Sequence, residues 1–251
     1  MIEGLKDRVV IVTGGAHGIG KAYCLGFAKA GARVVIADID KAGADRAAGE
    51  IAQAVRESSA DALHVDVSDE TSTKNMAAHA VERFGRIDVL VNNAGVQPAG
   101  RMATVQPRHF ELELRVNVLG PFWCSRAVQE QMQKQGSGAV INISSAAANM
   151  KGRSGHYGVT KIALEWMTAA FAEELREAGI ACNALKPRGV IDTPGARFGR
   201  GGNVPQNADP REDFVEASVI LATATPATLT GEALFEHEVL ARFGRGATLA
   251  R

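Results

Sequence analysis

Residues 8–22, RVVIVTGGAHGIGKA, join an unbroken β-branched run to a glycine-rich turn and then to a helical pattern. A short Val/Ile run closed by Thr13 has the composition of a strand buried on both faces. Gly14, Gly18 and Gly20 follow it at G-x-x-x-G-x-G spacing. Glycine suits the sharp turn, and the missing Cβ lets backbone N–H groups and a helix N-terminus come close to an anion such as a pyrophosphate. Alone, such a turn is an ordinary strand-to-helix connection. A strand before it and a helix after it make a dinucleotide site the expectation.

Outward from that turn the same alternation repeats. RVVIAD (33–38), ALHVDV (62–67), IDVLVN (87–92), AVINIS (139–144) and IACNAL (180–185) read as further buried strands. Segments 18–30, 41–57, 70–84, 107–134 and 155–178 carry apolar residues at three- and four-residue spacing and read as helices. Parallel strands need crossover connections, and these are right-handed. The expected fold is therefore α/β: a Rossmann-like doubly wound parallel sheet of about seven strands with helices on both faces. An eightfold barrel ranks below it, because about seven strands are found and the first turn suits a dinucleotide.

The absence of an internal linker predicts one domain over 1–251, and the glycine-rich stretch 194–211 is expected to be a substrate lid. Charge balances at 28 basic against 28 acidic residues with no basic run, which argues against nucleic-acid binding. The opening stretch mixes Glu3, Asp7, Lys6 and Arg8, unlike a signal peptide, and no stretch is apolar enough to span a membrane. A soluble, cytoplasmic protein is expected. Cys24, Cys124 and Cys182 are scattered in apolar segments and read as reduced core thiols. No His/Cys cluster has metal-ligand spacing, so no metal is expected.

Asp38 ends the second strand eighteen residues past Gly20, where a carboxylate can accept from both hydroxyls of an adenine ribose and repel a 2′-phosphate. Positions 15, 16 and 39 hold Gly15, Ala16 and Ile39, none basic, so NAD is favoured over NADP. The competing role for Asp38 is a helix N-cap. Asp66 and Val67 end the third strand and NNAG (92–95) ends the fourth, at the sheet edge where ligands bind. In SGHYGVTKIALEWM (154–167), Tyr157 and Lys161 are four residues apart and share one helix face. That pair alone is a weak sign of chemistry.

Taken together, TGGAHGIG, Asp66-Val67, NNAG, the Asn of RVNVLG, NISS, YGVTK and KPRGVIDTP stand in an order that resembles the short-chain dehydrogenase/reductase family, in its shorter single-domain branch. The resemblance covers roughly residues 5–235. It implies hydride transfer between a secondary alcohol or ketone and a nicotinamide, with Asn117, Ser145, Tyr157 and Lys161 catalytic. It also implies that cofactor contacts come from Gly14, His17, Gly18, Ile19, Gly20, Asp38, Ile39, Asp66, Val67, Asn93, Ala94, Gly95, Tyr157, Lys161, Pro187, Ile191 and Thr193. A homodimer or homotetramer is implied as well, through helices like 107–134 and 155–178. Tyr157 would move the proton, Lys161 would favour its phenolate and hold the nicotinamide ribose, and the serine would hold the reacting oxygen.

Three departures bear on that reading. The serine normally precedes the tyrosine by thirteen residues; Ser144 satisfies that count and Ser145 satisfies strand register. Register decides which face a side chain takes, whereas a loop absorbs a deletion, so Ser145 is chosen. Arg188 is an extra residue in KPRGVIDTP, facing either solvent or an anion. Glu236, His237 and Glu238 stand where relatives turn through Asp-Gly-Gly. His156 is expected to line the cleft mouth, and Trp123 and Trp166 to be packing residues. Substrate walls should come from 96–104, 146–154 and the stretch after Thr193, with Met102, Met150, Phe198, Arg101, Lys151 and Arg153 around the pocket. Two competing readings are a nucleotide-sugar epimerase or dehydratase, which needs a larger C-terminal domain, and a dinucleotide-sensing module without turnover.

Overall fold

Val9 to Val12 are fully buried, and their side chains alternate between two separate apolar clusters, Val10 and Val12 in one, Val9 and Ile11 in the other. That alternation is what a central strand covered on both faces requires. The computed structural model describes residues 4–55, 60–150, 155–189, 191 and 211–249. Its strands are β1 (Val9–Thr13), β2 (Arg33–Asp38), β3 (Ala60–His64), β4 (Val89–Asn92), β5 (Gly138–Ile143), β6 (Ile180–Lys186) and β7 (Ala233–Phe235). All neighbours pair parallel in the order β3-β2-β1-β4-β5-β6-β7. The order reverses between β1 and β4, which opens a crevice beyond their carboxyl ends.

On one face lie α1 (Gly18–Lys29), α2 (Lys41–Ala54) and α7 (Arg211–Leu221), where Tyr23 and Phe214 meet with ring centroids 5.8 Å apart. On the other lie α3 (Glu70–Phe84), α5 (Gly120–Gln135) and α6 (Gly155–Leu175), which bury Met76, Val128 and Phe171. Each such side chain contributes about 1.5–3 kcal/mol by leaving water. The remaining helices are α4 (Pro107–Leu114) and α8 (Glu236–Phe243). Among the described residues no helix is long and apolar enough to cross a membrane.

The elements differ from the sequence reading in instructive places. The third strand lies at Ala60–His64 rather than 62–67, because β2 ends at Asp38 and pairs Val34 with Ala60 through Asp38 with His64. Residues 107–134 are not one helix: a π turn, Arg115–Leu119, separates α4 from α5. There Gly120 N donates to Arg115 O, five residues back, and Pro121 has no amide with which to resume the α pattern at once. Trp123 is half-buried, but Trp166, expected to pack, is 80% exposed on α6. The three cysteines are buried free thiols, and burial pushes each of them up.

Candidate active site

The glycine turn is shaped by what a Cβ would meet. Gly14 and Gly18 hold φ of 65° and 55°, in the left-handed region. A Cβ on Gly20 would come within 2.0 Å of Gly14 O. α1 can therefore start against the turn only with glycine there. Its N-cap residue, His17, makes no side-chain cap, so the first-turn amides are left for an anion at the positive end of the helix dipole. His17 instead meets Asp40, 2.8 Å from Nε2 to Oδ2. These features fit the pyrophosphate of a dinucleotide.

Asp38 closes β2 beside the turn. Its Oδ2 accepts from Ala16 N at 2.9 Å and its Oδ1 from Asp40 N at 2.9 Å. A carboxylate has about four acceptor sites, so both oxygens retain capacity for ribose hydroxyls. The N-cap role goes to Asp40, whose Oδ1 accepts from Gly43 N. Ile39 beside it is 65% exposed. Asp66 bonds Ser68 through both its N–H and hydroxyl, and Val67 is buried against Gly120. Both lie just beyond β3, on the β1–β3 side of the crevice.

The NNAG stretch ties the turn to the rest. Asn93 Nδ2 donates to the carbonyls of Thr13 and Gly14 at 2.9 and 3.0 Å, and Thr13 Oγ1 accepts from the amides of Asn93 and Ala94. A Cβ on Gly95 would stand 3.3 Å from Asn117 Oδ1 and 3.9 Å from Lys161 Nζ. The nucleotide turn and the opposite half of the crevice thus form one continuous edge.

Across it, Tyr157 and Lys161 project from α6. Ser145 lies beside the Tyr157 hydroxyl and favours its phenolate. Burial and the charge of Glu113 outweigh that effect and push the phenol up to about 12. Lys161 is buried and donates to Ile143 O at 2.8 Å, with Nζ 5.4 Å from the Tyr157 ring centroid. Burial brings its ammonium down to about 8, against the opposing pull of Glu113 and Glu165. Asn117 rides the π turn; its Oδ1 accepts from Val96 N and its Nδ2 donates to Val96 O, both at 2.8 Å. It also reaches Thr160 Oγ1 on α6 at 3.2 Å, so one side chain fixes both the loop after β4 and the helix bearing Tyr157.

The two serines part company. Ser145 is at the site, beside Tyr157, and accepts from Ala147 N. Ser144 is buried and donates to Glu165 Oε1 at 2.6 Å, beneath the site. Glu165 also meets Lys186, whose Nζ donates to Asn149 Oδ1 at 2.9 Å and so holds the loop after β5. Pro187 follows β6 directly and Ile191 packs into the core. Arg188 lies exposed, its backbone N–H donating to buried Glu236 at 3.0 Å. Thr193, the 194–211 stretch but for Arg211, Phe198, Lys151 and Arg153 lie outside the described residues.

Sequence reasoning misplaced His156 and passed over Glu113, Glu165 and Lys186. His156 does not line the cleft mouth; it is fully buried against Glu113, with Nδ1 and Oε2 2.6 Å apart. The available sign was a glutamate in an apolar stretch one helical turn before Asn117, which propensity reads as surface.

A sequence profile described as short chain dehydrogenase matches residues 8–200. The chain is 36% identical over 196 residues to (2S)-[(R)-hydroxy(phenyl)methyl]succinyl-CoA dehydrogenase subunit BbsD of Thauera aromatica, covering 76% of each chain. It is 35% identical over 192 residues to the 3-oxoacyl-[acyl-carrier-protein] reductase FabG of Thermotoga maritima, again 76% of each. The crystal structure of a 3-ketoacyl-(acyl-carrier-protein) reductase from Brucella melitensis complexed with NADH superposes with a TM-score of 0.83 at 32% identity, over 92% of this chain and 97% of that one.

Proposed function

The chain belongs to the short-chain dehydrogenase family of nicotinamide-dependent oxidoreductases, and from that premise we propose that it transfers a hydride between a secondary alcohol or its ketone and NAD, with Tyr157, Ser145, Lys161 and Asn117 as its catalytic group. The observation that carries this reading is the side chain of Lys161, buried on the same face of α6 as Tyr157 with Nζ 5.4 Å from its ring centroid, and Ser145 beside that tyrosine. When bound, the nicotinamide supplies the hydride acceptor or donor. Tyr157 takes the alcohol proton in oxidation and returns it to the carbonyl oxygen in reduction. Ser145 donates to that oxygen as charge develops on it. The Lys161 ammonium favours phenolate, and Asn117 keeps the loop after β4 and α6 in register. With its phenol near 12, Tyr157 starts as a proton donor, so reduction runs at neutral pH while oxidation gains as pH rises.

The Asp38 carboxylate beside the turn supports NAD over NADP, because a 2′-phosphate there meets like charge. Leu112, Leu119, Phe122, Val159, Ile162 and Trp166 are exposed on α4, α5, α6 and the π turn between them. Exposed apolar side chains on these helices support a homodimer or homotetramer paired through them. Light scattering that finds only monomer at micromolar concentration overturns that part. The reading also takes the protein to be cytoplasmic and one domain.

Tyr157→Phe tests the core of it. Turnover should fall on the order of 10²–10⁴-fold while NAD affinity holds. A variant that keeps most of its rate rejects Tyr157 as the proton carrier.

A further inference from the structure

Behind the Tyr157/Lys161 couple lies a buried pair that the mechanism above does not use. Glu113 on α4 and His156 at the start of α6 are both shut off from solvent, and 2.6 Å separates Oε2 from Nδ1. The other ring nitrogen, Nε2, lies 3.2 Å from Gly100 O. A carbonyl only accepts, so Nε2 carries a proton, and the short contact at Nδ1 holds a second one. Burial pushes the Glu113 carboxyl up and the His156 partner pulls it back, so the pair is held as an imidazolium against a carboxylate. Glu113 Oε1 is buried with no hydrogen-bond partner. Leucine and phenylalanine of similar size would hold these elements together without that penalty, so stability alone does not account for the pair.

Its surroundings give it a use. Gly100 belongs to the loop after β4, His156 is bonded through the chain to Tyr157, and α4 leads into the π turn that carries Asn117. The charge of Glu113 reaches both members of the couple. We propose that Glu113 and His156 are positioning residues of the hydride-transfer reaction: the imidazolium balances a carboxylate held behind the Tyr157/Lys161 couple, and its second nitrogen anchors the substrate-side loop at Gly100. This inference rests on the reading of Tyr157 as the proton-transfer group.

The groups facing the pair from α6 are Tyr157 and Lys161, with Glu165 one turn beyond Lys161. On α4, His109 lies one turn before Glu113 and is half-buried, while Arg108 and Glu111 are exposed, as is Arg115 just after it. From the loop after β4 the contact is a carbonyl, and Arg101 is exposed. Removing a negative charge beside the couple makes both of its deprotonations easier, whichever group loses its proton first. Removing the positive partner makes both harder.

The chain has two tyrosines, Tyr23 and Tyr157, and burial holds Tyr23 well above the ordinary range. The tyrosinate ultraviolet difference spectrum of NAD-saturated protein, with Tyr157→Phe as blank, therefore reports Tyr157 and needs no substrate. Glu113→Gln keeps the hydrogen bond through its amide and removes the charge; its Tyr157 titration should move down by roughly one pH unit. His156→Phe leaves the carboxylate alone and should move it up by a similar amount, and Glu113→Leu/His156→Phe should return it close to the parent. Titrations that coincide, or that move the same way in Glu113→Gln and His156→Phe, overturn the proposal. If His156→Phe does not fold, Glu113→Gln alone decides, and an unmoved titration overturns it. Failure of the underlying reading is separate: it appears as retained turnover in Tyr157→Phe.

Discussion

On the β1–β3 side of the switch point the site is shaped by backbone, whereas on the β4–β7 side it is shaped by buried polar side chains. The first half offers glycines, an uncapped helix start and Asp38 holding two amides, and Thr13 and Thr73 are among its few fully buried polar residues. The second buries Asn92, Glu113, Asn117, Asn142, His156, Lys161 and Lys186, linked into networks. In the middle of it Asn92 Nδ2 donates to Asn142 Oδ1 at 2.8 Å, and Asn142 Nδ2 donates to Thr168 Oγ1 at 2.8 Å, across two neighbouring strands and α6. A diphosphate is the same in every dinucleotide, and amides can hold it by shape. Proton transfer needs particular groups at particular charges, which only side chains supply.

If that division holds, damage to each half should differ in kind. Gly20→Ala should do most harm, because the added Cβ meets the backbone oxygen of Gly14, which cannot swing aside. We expect NAD affinity to fall at least 100-fold by calorimetry, with about 3 kcal/mol of stability lost. Near-normal binding would break the backbone side of the comparison. Asn142→Ala takes one interior partner from Asn92, which keeps Ser125, and one from Thr168, which keeps the Leu164 carbonyl, and should lower stability by about 2 kcal/mol in urea denaturation with NAD affinity little changed.

Asp38→Ala should lower the NAD-to-NADP ratio of kcat/KM about tenfold, or about 1.4 kcal/mol. Parent protein that works equally well with NADP would remove the charge argument.

The smallest effect sharpens the other half. Lys161 holds its proton less tightly when folded, about 8 against the ordinary 10.5. Below pH 8 the fold keeps a buried charge at a penalty; from 8 to 10.5 the unfolded chain binds more protons, so this penalty fades as pH rises. Lys161→Met should therefore be inactive yet melt a few degrees higher at pH 7, a gain that closes towards pH 10.5. A lower melting temperature at pH 7 would mean that the ammonium stabilises the fold.

Periodicity was enough for the doubly wound sheet, because buried parallel strands must be apolar on both faces and their helices amphipathic. The placement of the glycine turn, Asp38, Tyr157 and Lys161 was legible for a related reason, since each depends on local spacing over one turn or one helical repeat, but the roles expected of them came only with the family resemblance. Register, the π turn and the third strand's bounds were not legible. They are set by partners, such as the pairing of β2 with β3 and the missing amide of Pro121.

What the amino-acid order determined by itself was the layout: where six of the seven strands fall, which edge carries the turn, and that Tyr157 and Lys161 share a face; β7 (Ala233–Phe235) was too short to stand out. What only the tertiary structure decided was which polar groups lie inside and against whom. Glu113 and His156 are forty-three positions apart, and Ser144 and Glu165 twenty-one, so no local pattern links them. Propensity reads a glutamate on a helix as solvated. It is the packing of α4 against α6 that strips its water, gives it an imidazole partner and puts its charge behind the tyrosine.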